Sequence, residues 1–199
     1  MPMKSEWTEI KTAARAVFAL AVLLCGIYPT TVWVASQILF PAKANGSLIV
    51  RDGAVVGSSL IGQPISEPRY FHPRPSAAGA GYDGLASGGS NLGPLSKTLI
   101  DAVARRAASY RLENGLPAGA IVPADAVTAS ASGLDPHISP ANALLQAPRV
   151  ARSRGLDERD VRARIAAATE GRDLGILGER GVNVLKLNLD LDGVGHAGR

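Results

Sequence analysis

The sequence AVFALAVLLCGIYPTTVWVASQILF occupies residues 16–40 and contains no charged residue over 25 positions. A helix needs about 20 predominantly apolar residues to cross the roughly 30 Å of hydrocarbon in a bilayer. The stretch therefore predicts one membrane-spanning helix. It divides the chain into a short arm, residues 1–15, and a domain that covers residues 41–192.

Residues 16–40 allow two other interpretations. A cleaved signal peptide is one, because Ala42-Lys43-Ala44 resembles a small-x-small cleavage site. The apolar run of a signal peptide is only about 7–15 residues long, however, which favours a retained span. A buried core helix is the other, although such a helix seldom runs this far without a charge. Gly26, Pro29 and two threonines within the span predict packing against other membrane helices, or are simply tolerated in lipid.

The flanking cations predict the orientation of the span. Lys4, Lys11 and Arg15 precede it, whereas Lys43 and Arg51 are the nearest cations after it. Cytoplasmic segments carry the excess of Lys and Arg, and acidic residues count little. We therefore expect a cytoplasmic N-terminus and a domain on the other side of the membrane. In a bacterium this would be the inner (plasma) membrane, with a periplasmic or extracellular domain.

Composition excludes several classes of function. Lys and Arg number 21 against 17 Asp and Glu, an excess too small to predict nucleic-acid binding. The single cysteine, Cys25, lies in the span, so the domain has no disulfide and no thiol nucleophile. No HxxH or HExxH pattern occurs, and no metal site is predicted.

Local patterns predict the helices of the domain. Leu99, Val103 and Tyr110 fall on one face of a helix over residues 94–114. Ser139-Pro140 has the residues of a helix start, and Pro148 predicts a kink or two short helices. A third helix runs from Asp157 to Gly171.

Other patterns predict strands. Asp52-Gly53 between two β-rich runs, 47–50 and 54–56, predicts a hairpin. Leucines alternate with polar residues over 185–191, which is typical of a half-buried strand. Residues 193–199 are expected to be a disordered tail. The predicted fold class is α+β, with one transmembrane helix, then a small, mostly antiparallel sheet and about three helices.

Two segments are candidate functional loops. Residues 87–94, SGGSNLGP, include Ser90 and Asn91 and could offer backbone amides to an anion before a helix. They lack the Walker lysine and the GxGxxG spacing, and the alternative is a turn in which Asn91 caps the helix. Residues 132–139 place Asp135, His137 and Ser139 close together. Triad members normally come from distant segments, so we interpret this loop as structural and predict no catalytic residue.

A polar, basic stripe follows this second loop. It consists of Gln146, Arg149, Arg152 and Arg154. The stripe is interpreted as a solvated helix face or as a surface for an acidic or phosphate-bearing partner.

Long segments of the chain resemble one family. They are GSSLIGQ at 57–63, FHPRPSA at 71–77, SGGSNLGP at 87–94, VTASASGLDPHISPANALLQAPRVARSRGL at 127–156 and GRDLGILGERGVNVLKLNLDLD at 171–192. In this order, with the N-terminal span, they are similar to the C subunit of the Kdp potassium-transporting P-type ATPase of bacteria.

The resemblance implies a non-catalytic subunit of an ATP-driven potassium pump. It implies three partners: a channel-like K+-selecting subunit, a P-type ATPase subunit and a very small subunit. The family is regarded as needed for assembly and as a catalytic chaperone that raises the affinity for ATP. No cofactor is bound covalently, and ATP is expected through the complex, with Gln146 and Arg149 as the residues to suspect. The expected topology conflicts with direct contact to cytoplasmic ATP. The alternatives are a membrane-anchored module that binds a small anion and a membrane-anchored hydrolase using Asp135 and His137.

Overall fold

A computed structural model describes the backbone of residues 3–196 and the side chains of residues 6–193. The chain divides into two compact units between Leu48 and Ile49. The first unit contains the uncharged stretch, and the second contains the α+β domain.

The first unit is one long helical stretch with a wide turn in its middle. Helix α1, Met3–Ala21, continues into a π-helical turn, Val22–Ile27, and then into helix α2, Tyr28–Leu39. The N–H of Tyr28 donates to the carbonyl of Leu23, five residues earlier. Pro29 explains the wide turn, because it has no N–H and its ring would clash with the carbonyl four residues before it. Thr31 Oγ1 donates to the Ile27 carbonyl at 2.8 Å.

This stretch is long and apolar enough to cross a membrane. It covers Glu6–Leu39, 34 residues, and no residue of its apolar window is buried within the chain. The interpretation as a buried core helix is therefore wrong. Phe40, with φ −141° and ψ 55°, ends α2, and a single turn, α3, follows over Pro41–Ala44.

The hairpin prediction is confirmed. Strands β1, Leu48–Arg51, and β2, Ala54–Ser58, form a two-stranded sheet. Asp52 and Gly53 join them with φ of 51° and 78°, the left-handed values that the tightest hairpin turn requires of both its central residues.

Helix α4, Lys97–Asn114, forms as predicted but begins later. Ser96 is its N-cap residue, so the predicted cap at Asn91 is wrong. Asn91 instead has a left-handed φ of 50° in the preceding loop. Gly115 ends the helix at φ 65°, which a glycine adopts without strain. A short helix, α5, covers Ala124–Val127.

Helices α6 and α7 follow their predicted caps. In α6, Pro140–Arg154, the Ser139 hydroxyl accepts the Asn142 N–H at 3.1 Å. Pro148 lies inside this one continuous helix, so two short helices do not form. In α7, Glu158–Ala168, the Asp157 carboxylate accepts the Arg159 N–H at 2.8 Å.

The second sheet has three short antiparallel strands. They are β3, His137–Ile138, β4, Thr169–Glu170, and β5, Gly181–Asn183. The strand order is β3-β5-β4, so β5 is central. His137 pairs with Asn183, and Glu170 pairs with Gly181.

The predicted strand over 185–191 is wrong, because these residues belong to helix α8, Val184–His196. Val184, Leu187 and Leu191 share one buried face of this helix. Leucines at alternate positions are therefore compatible with a buried helical face as well as with a strand. Residues 193–196 of the predicted disordered tail lie in α8, and residues 197–199 lie outside the described part of the chain.

The second unit contains an apolar core. It is built around α6, α7, α8 and the three-stranded sheet, and its fully buried members include Phe71, Val150, Val161, Val182 and Leu187. Phe71 comes from the long segment before α4 rather than from a helix or strand. Asn188 of α8 holds it there: its Oδ1 accepts the Phe71 N–H at 2.8 Å, and its Nδ2 donates to the Phe71 carbonyl at 3.0 Å.

Candidate functional site

The loop before α6 carries a charged site centred on Asp135. Pro136 favours extended backbone at the residue before it, which leaves the carboxylate free to accept local hydrogen bonds. Its Oδ1 accepts the His137 N–H at 2.9 Å, and its Oδ2 accepts from Arg74 Nη1 at 2.8 Å. Gly62 lies against this loop so closely that a Cβ there would be 2.7 Å from the Asp135 carbonyl oxygen. Asp135 thus fastens the 71–77 segment to the loop.

The His137 ring lies between two carboxylates. Its Nδ1 is 3.6 Å from Asp135 Oδ1, and its Nε2 is 3.2 Å from Glu170 Oε2. Glu170 also accepts from Lys186 Nζ at 3.0 Å. The ring reaches Glu170 across the central strand because Gly181 carries no side chain: a Cβ at that position would be 3.4 Å from His137 Cδ2.

The charges of this site shift three ionisation equilibria. The Asp135 carboxylate, and next to it Glu170, raise the pKa of His137 above its ordinary value despite partial burial. Burial opposes ionisation of Asp135, but hydrogen bonds from His137 and Arg74 outweigh it and lower the pKa of that carboxyl. The hydrogen bond from Lys186 lowers the pKa of Glu170. The site therefore favours a protonated imidazole between two ionised carboxylates.

Arg74, Asp135, His137 and Glu170 line a groove of about 570 Å³ that mixes positive and negative side chains. The arrangement does not form a Ser-His-Asp relay. Ser139 Oγ donates to Asp125 Oδ1 at 2.9 Å instead of approaching the imidazole. Among the described residues, no group of three or more His, Cys, Asp or Glu is placed to hold a metal ion. The geometry supports charge-mediated fastening of three segments rather than covalent chemistry.

Ser139 belongs to a second network at the start of α6. Asp125 Oδ2 accepts the Ser139 N–H at 2.7 Å and the Asn142 amide at 3.0 Å. Asn142 Oδ1 in turn accepts from the Tyr110 hydroxyl at 2.8 Å. Burial, and next to it the charge of Asp125, raise the pKa of Tyr110. This network joins α4, α5 and α6.

Gln146 and Arg149 are buried, with relative exposures of 1% and 5%. Arg149 Nε donates to Asn114 Oδ1 at 3.0 Å, its Nη1 to the Tyr70 carbonyl at 2.9 Å, and its Nη2 to Gln146 Oε1 at 2.8 Å. Gln146 Oε1 also accepts the His72 N–H at 2.8 Å, and its Nε2 donates to the His72 carbonyl at 3.1 Å. Both side chains thus bind the 68–72 segment to α6, and their role as nucleotide ligands stays a prediction.

The rest of the basic stripe is divided. Arg152 is exposed and bonds within its own helix, to the Pro148 carbonyl at 3.2 Å. The side chain of Arg154 is only 5% exposed; it donates to Asp192 Oδ1 at 2.8 Å and to the Arg69 carbonyl at 2.7 Å. Its guanidinium lies 4.9 Å from the centre of the Tyr70 ring, a distance typical of a cation–π contact. A solvated face is therefore the wrong interpretation for most of the stripe.

Small residues of the 87–94 loop form hydrogen bonds with the 127–139 segment. The Gly88 N–H donates to the Ser132 carbonyl at 2.9 Å, and Ser87 Oγ donates to the same oxygen at 3.0 Å. Ser90 and Asn91 are exposed. One of the amides that could meet an anion is thus already paired, and anion binding by this loop stays a prediction.

Sequence reasoning missed five residues that hold these networks together. They are Arg74, Asp125, Glu170, Asn188 and Asp192. All of them contact partners distant in sequence, up to 122 residues for Asp192 with the Tyr70 hydroxyl. The periodicity of a local sequence segment does not predict contacts between residues so far apart in the chain. For Asn188, a polar residue among the leucines of 185–191 was a signal that the sequence did offer.

Comparisons with known proteins agree on one family. The family model "KdpC: K+-transporting ATPase, c chain" matches residues 10–193. The potassium-transporting ATPase KdpC subunit of Mycobacterium tuberculosis H37Rv is 52% identical over 184 residues, which cover 92% of this chain and 97% of the relative. The subunit of the same name from Gemmatimonas aurantiaca is 55% identical over 185 residues, covering 92% of each chain. That from Koribacter versatilis is 50% identical over 183 residues, covering 92% of this chain and 93% of the relative.

Proposed function

We propose, from the premise that this chain belongs to the KdpC family of K+-transporting ATPase c chains, that it supports assembly of an ATP-driven potassium pump. The relatives are named as the KdpC subunit of a potassium-transporting ATPase, and we take this subunit to be accessory rather than catalytic. The observation that carries the proposal is the match over residues 10–193, which includes the span and the domain. Deleting the chain from a co-expressed complex should remove K+-stimulated ATP hydrolysis and lower the yield of the complex. Full activity without the chain would refute the proposal.

We further propose that the domain lies outside the cytoplasm. The helix over Glu6–Leu39 supports membrane anchoring, and Lys4, Lys11 and Arg15 before the uncharged stretch support a cytoplasmic N-terminus. A reporter that is active only outside the membrane should work when fused after Arg199. Activity of a strictly cytoplasmic reporter at the same position would reverse the orientation.

The span is proposed as a contact for the channel-like, ATP-hydrolysing or small subunit. One face of it is a shallow apolar groove that includes Gly26, Thr30 and Thr31. Small residues on one face let a second helix approach closely in a membrane. Replacing residues 16–40 with polyleucine should keep the chain in the membrane but reduce co-purification with the other subunits. Unchanged co-purification would show that the span serves only as an anchor.

The chain is also proposed to raise the ATP affinity of the complex from a distance. The polar atoms of Gln146 and Arg149 form hydrogen bonds within the domain. Because these atoms are already bonded, we favour an effect transmitted through the ATP-hydrolysing subunit over direct contact with ATP. Complexes with and without the chain should then differ in KM for ATP, whereas the isolated chain should not bind a fluorescent ATP analogue. Saturable binding by the isolated chain, lost in Arg149→Lys without loss of stability, would favour direct contact.

A further inference from the structure

The ten residues that connect β4 to β5 form a surface loop, residues 171–180. All ten are exposed. They include three large apolar side chains: Leu174 is 88% exposed, Ile176 75% and Leu177 56%. Single exposed apolar residues are ordinary on a soluble surface, but three within four positions form a patch that marks a contact site.

The loop is braced from within. Arg172 Nη2 lies 3.0 Å from both oxygens of Glu179, which closes the loop near its two ends. Between them, the Asp173 N–H donates to the Leu177 carbonyl and the Leu177 N–H donates to the Asp173 carbonyl, both at 2.9 Å. The chain therefore holds its apolar side chains outward without any core to pack against.

The base of the loop is fixed to the sheet. Glu170, directly before it, bonds to His137 of β3 and to Lys186 of α8 at 3.2 Å and 3.0 Å. Gly181, directly after it, is paired in the central strand. A contact surface that is ordered before binding loses less conformational entropy when its partner arrives.

Leu174 itself has an unfavourable backbone. Its φ is 53°, in the left-handed region that residues with a Cβ seldom occupy. Such a conformation persists when its surroundings impose it, and it concentrates at contact and functional sites. The side chain of Leu174 is 88% exposed on this loop.

The charges of the loop distinguish a protein partner from a lipid surface. Residues 171–180 contain two arginines, one aspartate and one glutamate, so the loop has no net charge. Segments that insert into anionic membranes combine apolar residues with an excess of Lys and Arg, and interfacial anchors use Trp and Tyr. The loop has neither the excess nor the aromatic residues. An apolar centre with mixed charges around it matches the composition of a protein interface.

We propose that residues 171–180 insert Leu174 and Ile176 into an apolar pocket, with a polar rim, on another subunit of the ATPase complex. The proposal rests on the proposed function, because it takes its partner from that complex. The proposal specifies which surface makes the assembly contact: the loop between β4 and β5 of the three-stranded sheet.

The first test compares two double variants of the full chain, co-expressed with the other subunits. Leu174→Ser with Ile176→Ser removes the apolar tip. Leu85→Ser with Ile121→Ser is the matched control, since these side chains are 100% and 89% exposed elsewhere. The loop variant should lower the co-purified fraction by about tenfold, as loss of a central apolar contact does, while thermal unfolding of both purified variants matches that of the wild-type chain.

Co-purification of the loop variant at the wild-type level would overturn the proposal and leave the subunit role intact. Equal losses in both double variants would also overturn it. A wild-type chain that does not co-purify at all would overturn the proposed function itself.

The second test identifies what covers the loop. Ile176→p-benzoylphenylalanine is photo-activated in membranes that contain the assembled complex, and Leu85→p-benzoylphenylalanine serves as the control. A covalent adduct with another subunit, formed from position 176 and not from position 85, supports the proposal. An adduct only with lipid, an adduct only with a second copy of this chain, or no adduct at all overturns it.

Discussion

His137 and Glu170 bond across a strand that belongs to neither of them. The His137 Nε2 to Glu170 Oε2 distance is 3.2 Å, and β5 runs between their strands. The bond spans the narrow sheet over Gly181. It therefore couples β3 and β4 through side chains where their backbones do not pair.

This relationship predicts a pH-dependent stability. The pKa of folded His137 lies above its ordinary value of 6.5, so its contribution is complete below that value and is lost as pH rises through the folded pKa. Urea unfolding of the wild-type chain in detergent should therefore give a lower free energy of unfolding at about pH 8 than at about pH 6. His137→Gln should flatten this difference. An unchanged pH difference in the variant would assign it to other groups.

Substitution of Gly181 should act on the same bond without removing either charge. A Cβ at position 181 would lie 3.2 Å from His137 Cβ, which is tight, and valine adds two methyl groups. We expect Gly181→Val to displace the imidazole, lower the unfolding temperature and reduce the pH difference. Gly171→Val is the control, because nothing lies within 4 Å of a Cβ there. Equal effects at both positions would mean that the close approach to His137 is not the cause.

Asp135 should behave as a structural acceptor. Asp135→Asn keeps an oxygen for the His137 N–H but loses the ion pair with Arg74, and should cost about 1 kcal/mol. Asp135→Ala leaves both donors without this acceptor and should cost about 1–3 kcal/mol, with a parallel loss of complex yield. Because the pKa of Asp135 is lowered, its contribution should be lost as pH falls below its ordinary value of 3.8. Normal stability with abolished ATP hydrolysis in the Asn variant would contradict the structural role.

Arg149 should be intolerant of lysine. Lysine can replace only part of the planar set of donors that reaches Asn114, Gln146 and the Tyr70 carbonyl. We expect Arg149→Lys to lower the free energy of unfolding by about 2–4 kcal/mol. Arg152→Lys, on the exposed side of the same helix, should change it by less than about 0.5 kcal/mol. Similar small effects at both positions would show that the hydrogen bonds of Arg149 do not stabilise the domain.

The parts of the fold that local chemistry determines were predictable. The uncharged stretch, the Asp52-Gly53 hairpin and the helix starts at Ser139 and Asp157 each depend on residues within a few positions of one another. The structure has these elements with shifts of a few residues. Local rules suffice there because the hydrogen bonds involved are local.

Helix α8 shows where local rules fail. Its leucines alternate, which a strand and a helical face both permit, and the tertiary environment decides between them. Asn188 falls at a polar position of the alternation, yet only 3% of it is exposed, because its amide pairs with Phe71. That partner lies 117 residues earlier.

The candidate site was predictable only in part for the same reason. Asp135 and His137 stood out because they adjoin a proline in one short loop. Arg74 and Glu170 did not, because they come from an irregular segment and from a two-residue strand. The burial of Gln146 and Arg149 depends on how the 68–72 segment crosses α6, which no single-sequence periodicity encodes.

The pairing of Phe71 with Asn188 has a consequence for biogenesis. The segment around Phe71 leaves the ribosome more than one hundred residues before the amide that fixes it, so it cannot adopt its final path while the chain is still being made. The hydrogen bonds that hold this early segment in place therefore form only after the last helix, α8, has been synthesised. Nascent chains that stop before residue 188 should therefore be degraded rather than accumulate as a partly folded product.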